Sequence, residues 1–417
     1  MTQVSTLRRR ILKTVQLKPF PPKEILDEMT AHAKSLVNRQ FRQMGYPFDQ
    51  EVNLSGFYEW LKETGLCDVT LINVGDPYKT SWDMLEADEF ERRSIDFLAK
   101  SFGFADDDHW GVLTNGGTDG NMHGVYFGRK FLEDAARELG LPAEKAKPIL
   151  YVSSEAHYSV RKLGDILQIE TRVIDAHPMG QMDVEDLRRK LDPERPALVA
   201  IAIGGTFKGA IDDQDAIAQV LADVKPPVVY RHLDCALFGG YLPWVEDESV
   251  RNILNQQARG FDSLAVSGHK FLAMNEPVGI FICRRDVPNH LHTYSVPYLN
   301  GVIPTINCSR SGFDALKLYW RIVTTGEDGF RAETAHVLKM TQILKDRLTA
   351  IGVKTYVNPW STTVCMERPA EEVVHKYAMA CGEDVNFGKL AHVVVMQFFT
   401  EELIEEFVQD VVKYRRP

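Results

Sequence analysis

"SLAVSGHKFL", residues 263–272, opens as an apolar run, Leu264–Val266, and reaches Lys270 through Ser267, Gly268 and His269. Such a run is a buried strand turning at its carboxyl end, where a lysine is taken from the water it ordinarily prefers. Outward from it, between about 110 and 285, short runs of the same kind recur: "PILYVSS" (148–154), "ETRVID" (170–175), "ALVAIAIGG" (197–205), "PVVYRHLD" (227–234) and "VGIFIC" (278–283). Helix-like segments such as "MDVEDLRRKL" (182–191) and "QDAIAQVLADV" (214–224) separate them. Continuous Val/Ile/Leu runs joined by helical crossovers predict an α/β fold with a mostly parallel central sheet covered on both faces.

The flanks read differently. "EILDEMTAHAKSLVNRQF" (24–41) and "EFERRSIDFLAKSF" (89–102) place apolar residues at helical spacing, with the turn-rich "INVGDPYKTSW" between them. After about 310 come a helical stretch at 332–352, two strand candidates, "STTVCMERP" (361–369) and "AHVVVMQFF" (391–399), and a closing helix at 401–414. The expected organisation is an N-terminal helical segment with a substrate-side loop (1–100), a large α/β domain (101–310) and a small C-terminal α+β domain (311–417).

Composition narrows the function classes. A net charge of −10 over 417 residues argues against a general nucleic-acid binder, and no apolar run approaches a membrane span. Six cysteines without a CxxC or Cys/His cluster read as reduced cytosolic thiols and imply no metal site. The basic stretch Arg8-Arg9-Arg10 with Lys13 and Lys18 reads as a solvated arm that packs on a partner subunit, not as a targeting peptide.

Ligands of open α/β sheets bind beyond the carboxyl ends of the strands, and four polar clusters fall there. In "LTNGGTDGNMHG" (113–124) Gly117 and Thr118 enter a helix, which suits a phosphate seat or a plain turn capped by Thr118 and Asp119. "SSEAHYSV" (153–160) presents His157, able to stack on a flat ring or move a proton, or simply satisfied by local backbone. In "YRHLDCALFGG" Asp234 ends a strand, with Ala236 two residues on, either as acceptor for a heteroaromatic N–H or as an ordinary N-cap. Lys270 in an apolar setting has the depressed pKa that an amine attacking a carbonyl requires, unless it snorkels to the surface. Together these four are the parts that hold pyridoxal 5′-phosphate.

The ordered set "TNGGTDGNMHG", "EAHYSVRK", "GTFKGAIDD", "HLDCALFGG" and "VSGHKF" resembles the group II pyridoxal-phosphate-dependent decarboxylases, most closely the branch of bacterial histidine and plant serine decarboxylases. The likeness spans about residues 45–415. It implies the fold-type I, aminotransferase-like architecture, an amino-acid substrate, a carboxy-lyase reaction and a cytoplasmic homodimer with shared active sites. It also implies roles: Lys270 as the lysine that carries the cofactor, Asp234 at its ring nitrogen, His157 stacked on the ring with Ala236 on the other face. Gly117 and Thr118 match the phosphate turn, with Ser267 and His269 assisting, Thr206 lies near the ring oxygen, and Asn73 meets the substrate. His157 or Tyr298 is the expected proton donor to Cα.

Two departures bear on the substrate. "FLAMNEPVG" (271–279) replaces the branch's Pro-x-Pro-Cys-Gly-like turn, and "CSRSGF" (308–313) keeps Ser309 and Arg310 but has Ser311 and Phe313 in place of Asn and His. Glu276 and Ser311 are thus expected on the substrate side, Glu276 able to pair with a cationic side chain. Histidine is the expected substrate, with serine or another polar or basic amino acid as alternatives. An aminotransferase on the same scaffold would need a buried arginine for the α-carboxylate, with Arg310 and Arg368 as candidates, and oxidative decarboxylation or deamination remains a further alternative.

Overall fold

The computed structural model describes residues 20–79, 85–291, 294–297 and 301–415, and the chain divides after Gln43 into two compact units. The basic stretch at 8–18 and Tyr298 lie outside the described residues. In the first unit, helix α1 (Lys23–Val37) starts behind Pro22, with Glu24 in its first turn and Lys34 in its last, the charge order that the helix dipole favours.

The second unit opens on helix α2 (Ser55–Thr64) and strand β1 (Ile72–Val74), followed by helix α3 (Asp88–Ser101). The central sheet then takes seven strands: β2 (His109–Thr114), β3 (Ile149–Ser153), β4 (Glu170–Ile174), β5 (Ala197–Ala202), β6 (Val229–Asp234), β7 (Ser263–Ser267) and β8 (Gly279–Arg284). Their spatial order is β2-β8-β7-β6-β5-β3-β4, and all run parallel except β8, which is antiparallel to both neighbours. All residues of β3, β5 and β7 are buried, which is why these strands read as unbroken apolar runs. Helices α4 (Gly117–Glu138), α5 (Tyr158–Ile166), α6 (Val184–Lys190) and α7 (Gln214–Val224) cross between the strands. The side chains of Asp183 and Asp213 accept backbone N–H groups at the starts of α6 and α7.

A hairpin, β9 (Tyr294–Val296) with β10 (Gly301–Ile303), leads to β11 (Ser309–Ser311), which pairs antiparallel with β1. Helix α8 (Gly312–Ala350) starts twenty residues before the helical stretch read from the sequence and is interrupted at Gly326, whose φ of +62° no helix accommodates. Beyond it a second sheet is fully antiparallel, in the order β12 (Thr355–Tyr356), β13 (Thr363–Glu367), β15 (Gly388–Val394) and β14 (Ala380–Asp384). The sequence reading has only two of these four strands: β12 is two residues long, and "ACGED" of β14 lacks apolar alternation. Helices α9 (Glu371–Lys376) and α10 (Glu401–Lys413) complete this part.

Among the described residues, no helix is long and apolar enough to cross a membrane, and no group of three or more His, Cys, Asp or Glu side chains is placed to hold a metal ion.

Candidate active site

The carboxyl ends of β5, β6 and β7 open onto a cavity of about 510 Å³, within the usual range for a small-molecule site. Asp234 is the last residue of β6 and aligns with Ala265 of β7, so Lys270, just past the end of β7, comes to the same mouth. The two strand ends are stitched by Ser267 N–H donating to Ala236 O at 2.9 Å, and the lysine turn by Gly268 N–H to Val278 O at 2.7 Å and Met274 N–H to Gly268 O at 3.0 Å. Burial pushes the Lys270 amine below its ordinary pKa, while the Asp234 carboxylate pulls the other way.

His157 stands at the start of α5, where its Nδ1 accepts from the Ser159 backbone N–H at 3.4 Å and lies 2.7 Å from Ser159 Oγ. An Nδ1 used as acceptor leaves the proton of the neutral ring on Nε2. Burial holds this imidazole below its usual pKa, opposed by Asp234 and reinforced by Lys270. His269 lies 3.1 Å through Nδ1 from Val278 O, and burial lowers its pKa as well.

The opposite end of the cavity is the N-terminus of α4. Gly116, with φ of +88°, precedes it, and Asp119 Oδ2 accepts Asn115 N–H at 2.8 Å. A Cβ at Gly117 would collide with Ser267 Oγ, so glycine there keeps backbone N–H groups within reach of an anion. Gly117, Thr118, His157, Thr206, Asp234, Ala236, Ser267, His269 and Lys270 all line this one cavity. An anion seat on a helix N-terminus, a carboxylate and a lysine of lowered pKa at adjacent strand ends, and a neutral imidazole fit pyridoxal 5′-phosphate.

A model of the pyridoxal-dependent decarboxylase conserved domain matches residues 86–365. The chain belongs to the pyridoxal-dependent decarboxylase family. Among the relatives of this decarboxylase, serine decarboxylase 3 of Oryza sativa subsp. japonica is 32% identical over 382 residues, 91% of this chain and 79% of that protein. Histidine decarboxylase of Morganella morganii is 29% identical over 90% of this chain and 93% of its own. Of solved structures, L-methionine decarboxylase from Streptomyces sp. 590 superimposes with a TM-score of 0.80 at 20% identity, covering 95% of each chain. Glutamate decarboxylase of Lactobacillus brevis does so with a TM-score of 0.77 at 19% identity, covering 95% of this chain and 93% of that one. The decarboxylase is thus a carboxy-lyase that uses pyridoxal phosphate, on a mostly parallel α/β scaffold.

The residues expected on the substrate side lie elsewhere. Asn73 is fully buried, donating to Glu91 Oε2 at 2.7 Å and accepting Ala87 N–H at 2.8 Å, so its amide is spent on α3. Glu276 pairs with Lys317 at 3.1 Å, and Ser311 Oγ caps α8 by accepting Asp314 N–H at 3.1 Å. None of the three lines the cavity of this chain. Neither arginine considered for transamination does so either: Arg310 is buried on Glu91, at 2.9 and 3.0 Å, and on Gly75 O at 2.8 Å, and Arg368 pairs with Glu371 in a separate surface cleft.

The sequence reading misses a further wall. Tyr46, Pro47 and Phe48 come in after Met44, whose N–H donates to Tyr377 O and whose O accepts Val394 N–H. Tyr46 and Phe48 stack with centroids 6.1 Å apart, and Phe48 lies 5.8 Å from the His269 ring. Thr363, Ala380, Cys381, His392 and Val394 of the second sheet face them across the opening. The available signal is His392, a polar residue early in the otherwise mostly apolar run "AHVVVMQFF".

Proposed function

We propose that this decarboxylase acts on an amino acid with an uncharged side chain, histidine with its ring neutral or serine, and releases CO2 and the corresponding amine. One observation carries the reading: among the described residues, Asp234 is the one carboxylate that lines the cavity, and no arginine lines it. With Asp234 committed to the cofactor, a cationic side chain meets no counter-ion and an acidic one no cation, and burying either unpaired is costly.

When bound, pyridoxal 5′-phosphate supplies an aldehyde for the amine and a conjugated ring that takes up the electron pair left as CO2 departs. Around it, the N–H groups at Gly117 and Thr118 and the start of α4 would hold the phosphate, with Ser267 and His269 beside them. The Asp234 carboxylate would accept the ring N–H and keep that proton in place. The burial that lowers the pKa of Lys270 favours its unprotonated, nucleophilic amine. His157 would lie against the ring opposite Ala236 with Thr206 near the ring oxygen, and a protonated His157 would be the chain's own candidate for returning a proton to Cα.

The enzyme is further proposed to work as a cytoplasmic homodimer. The free thiol state of all six cysteines supports the compartment. Ile25, Met29 and Val37, left exposed on α1, support a second copy as partner.

The deciding experiment is CO2 release and amine formation by the purified, cofactor-loaded protein against the twenty common amino acids, ornithine and 2,4-diaminobutyrate, with Lys270→Ala as blank. Turnover of histidine or serine is expected. Turnover confined to lysine, ornithine, glutamate or aspartate overturns the uncharged-substrate reading, and a monomer by light scattering overturns the dimer.

A further inference from the structure

Lys208 is a buried cation, 5% exposed, in the loop whose Thr206 and Phe207 line the cavity. Its Nζ stands 2.5 Å from Asp384 Oδ2 and 3.5 Å from Glu155 Oε1. Each partner belongs to a different wall. Glu155 sits two residues before His157 in the turn after β3. Asp384 ends β14, whose Ala380 and Cys381 line the opposite side.

The backbone around Lys208 is tied in the same directions. Phe207 O meets His392 Nδ1 at 2.8 Å and Cys365 Sγ at 3.1 Å, both from the second sheet. Asn358 Nδ2 donates to Lys208 O and to Met179 O, each at 2.9 Å. The loop closes on itself through Gly204 and Gly205 N–H to Ala210 O and Gly209 N–H to Gly205 O. Gly209, with φ of +64°, packs where a Cβ would strike Ser361 Oγ. Burial alone would raise the Asp384 carboxyl, but the bond to Lys208 and the N–H groups of Asn386 and Phe387 hold it below the usual carboxylate range.

We propose that Lys208 is a positioning residue: by locking Glu155 and Asp384 together it sets where His157 and Thr206 stand against the cofactor and draws the second sheet onto the cavity. Without the cation, two carboxylates are left beside each other with no counter-charge between them, and their repulsion acts on the segments that carry them. Lys208 touches neither substrate nor cofactor in this role, which rests on the cavity being the pyridoxal phosphate site.

The test uses the cofactor-loaded enzyme with Lys208→Met, Lys208→Arg and Asp384→Asn, read by visible circular dichroism of the bound cofactor, by kcat and KM separately, and by thermal melting. Lys208→Met should lose more than about half of the visible dichroic band and about tenfold to a hundredfold in kcat, the scale expected for sub-ångström to ångström misplacement of working groups. Lys208→Arg should restore most of both, and Asp384→Asn should shift the band in the same direction. A lower melting temperature with the band and kcat unchanged overturns the proposal, since a purely structural lysine would behave so. If Lys208→Met does not fold, an unchanged band in Asp384→Asn overturns it as well. Failure of the underlying site reading is separate: it would appear as no visible band in the unsubstituted enzyme.

Discussion

At the scale of single residues, chemistry depends on what each buried charge has for company. Lys270 has Asp234 nearby and a burial that lowers its pKa, so Lys270→Ala should lose at least about a thousandfold in CO2 release, together with the visible cofactor band, by steady-state assay and absorbance. Asp88 is the opposite case. Burial, with Glu91 and Glu86 beside it, raises its carboxyl to about 7, against the pull of Arg310 and Arg92, and its Oδ1 has no hydrogen-bond partner. A folded pKa above the unfolded one means that the native state binds this proton more tightly. The stability so contributed is complete below about pH 4 and is lost as the pH rises through about 7. Asp88→Asn should therefore flatten that decline and gain on the order of 1 kcal/mol at pH 8, measured by urea unfolding across pH. Of the residues singled out from sequence, Lys270, Asp234 and His157 line one cavity because each follows a strand whose pattern is local. Asn73, Glu276 and Ser311 carry no mark of their partners, Glu91, Lys317 and the Asp314 N–H, and so read as available when they are spent.

At the scale of elements, strands and helix starts follow from short-range rules, and their failures are local too. The Asp213 side chain accepts the N–H groups of Asp215 and Ala216, each at 3.0 Å, so Asp213→Ala should cost about 1 kcal/mol in chemical denaturation without altering kcat. Gly117→Ala acts differently. Its Cβ would meet Ser267 Oγ and push the start of α4 from the anion seat, so the apparent affinity for pyridoxal phosphate should fall by about tenfold or more in equilibrium dialysis, with helicity retained. The strands that escape a sequence reading, β12 and β14, are short or polar because they close a small sheet instead of crossing a core.

At the scale of the whole molecule, Glu91, Arg310 and Asn73 join segments far apart in the chain. Glu91 on α3 accepts Leu113 N–H of β2 at 2.9 Å, Asn73 of β1 and the Arg310 guanidinium of β11, all away from water. Arg310→Met leaves that carboxylate buried without its cation and should cost about 3–5 kcal/mol by equilibrium unfolding. The same commitment removes the arginine that transamination would require from this chain's cavity.

From residue types and spacing alone, the sequence determined the alternating α/β pattern, the strand-end placing of Lys270 and Asp234 and the helix start at Gly117. These depend on burial periodicity and on turns that span a few residues. Tertiary structure decided which polar groups are consumed and which remain: Arg310 on Glu91, Glu276 on Lys317, Lys208 between Glu155 and Asp384, and Tyr46 and Phe48 against the second sheet. Ion pairs and cavity walls form between residues tens to hundreds of positions apart, and only packing brings those positions within reach.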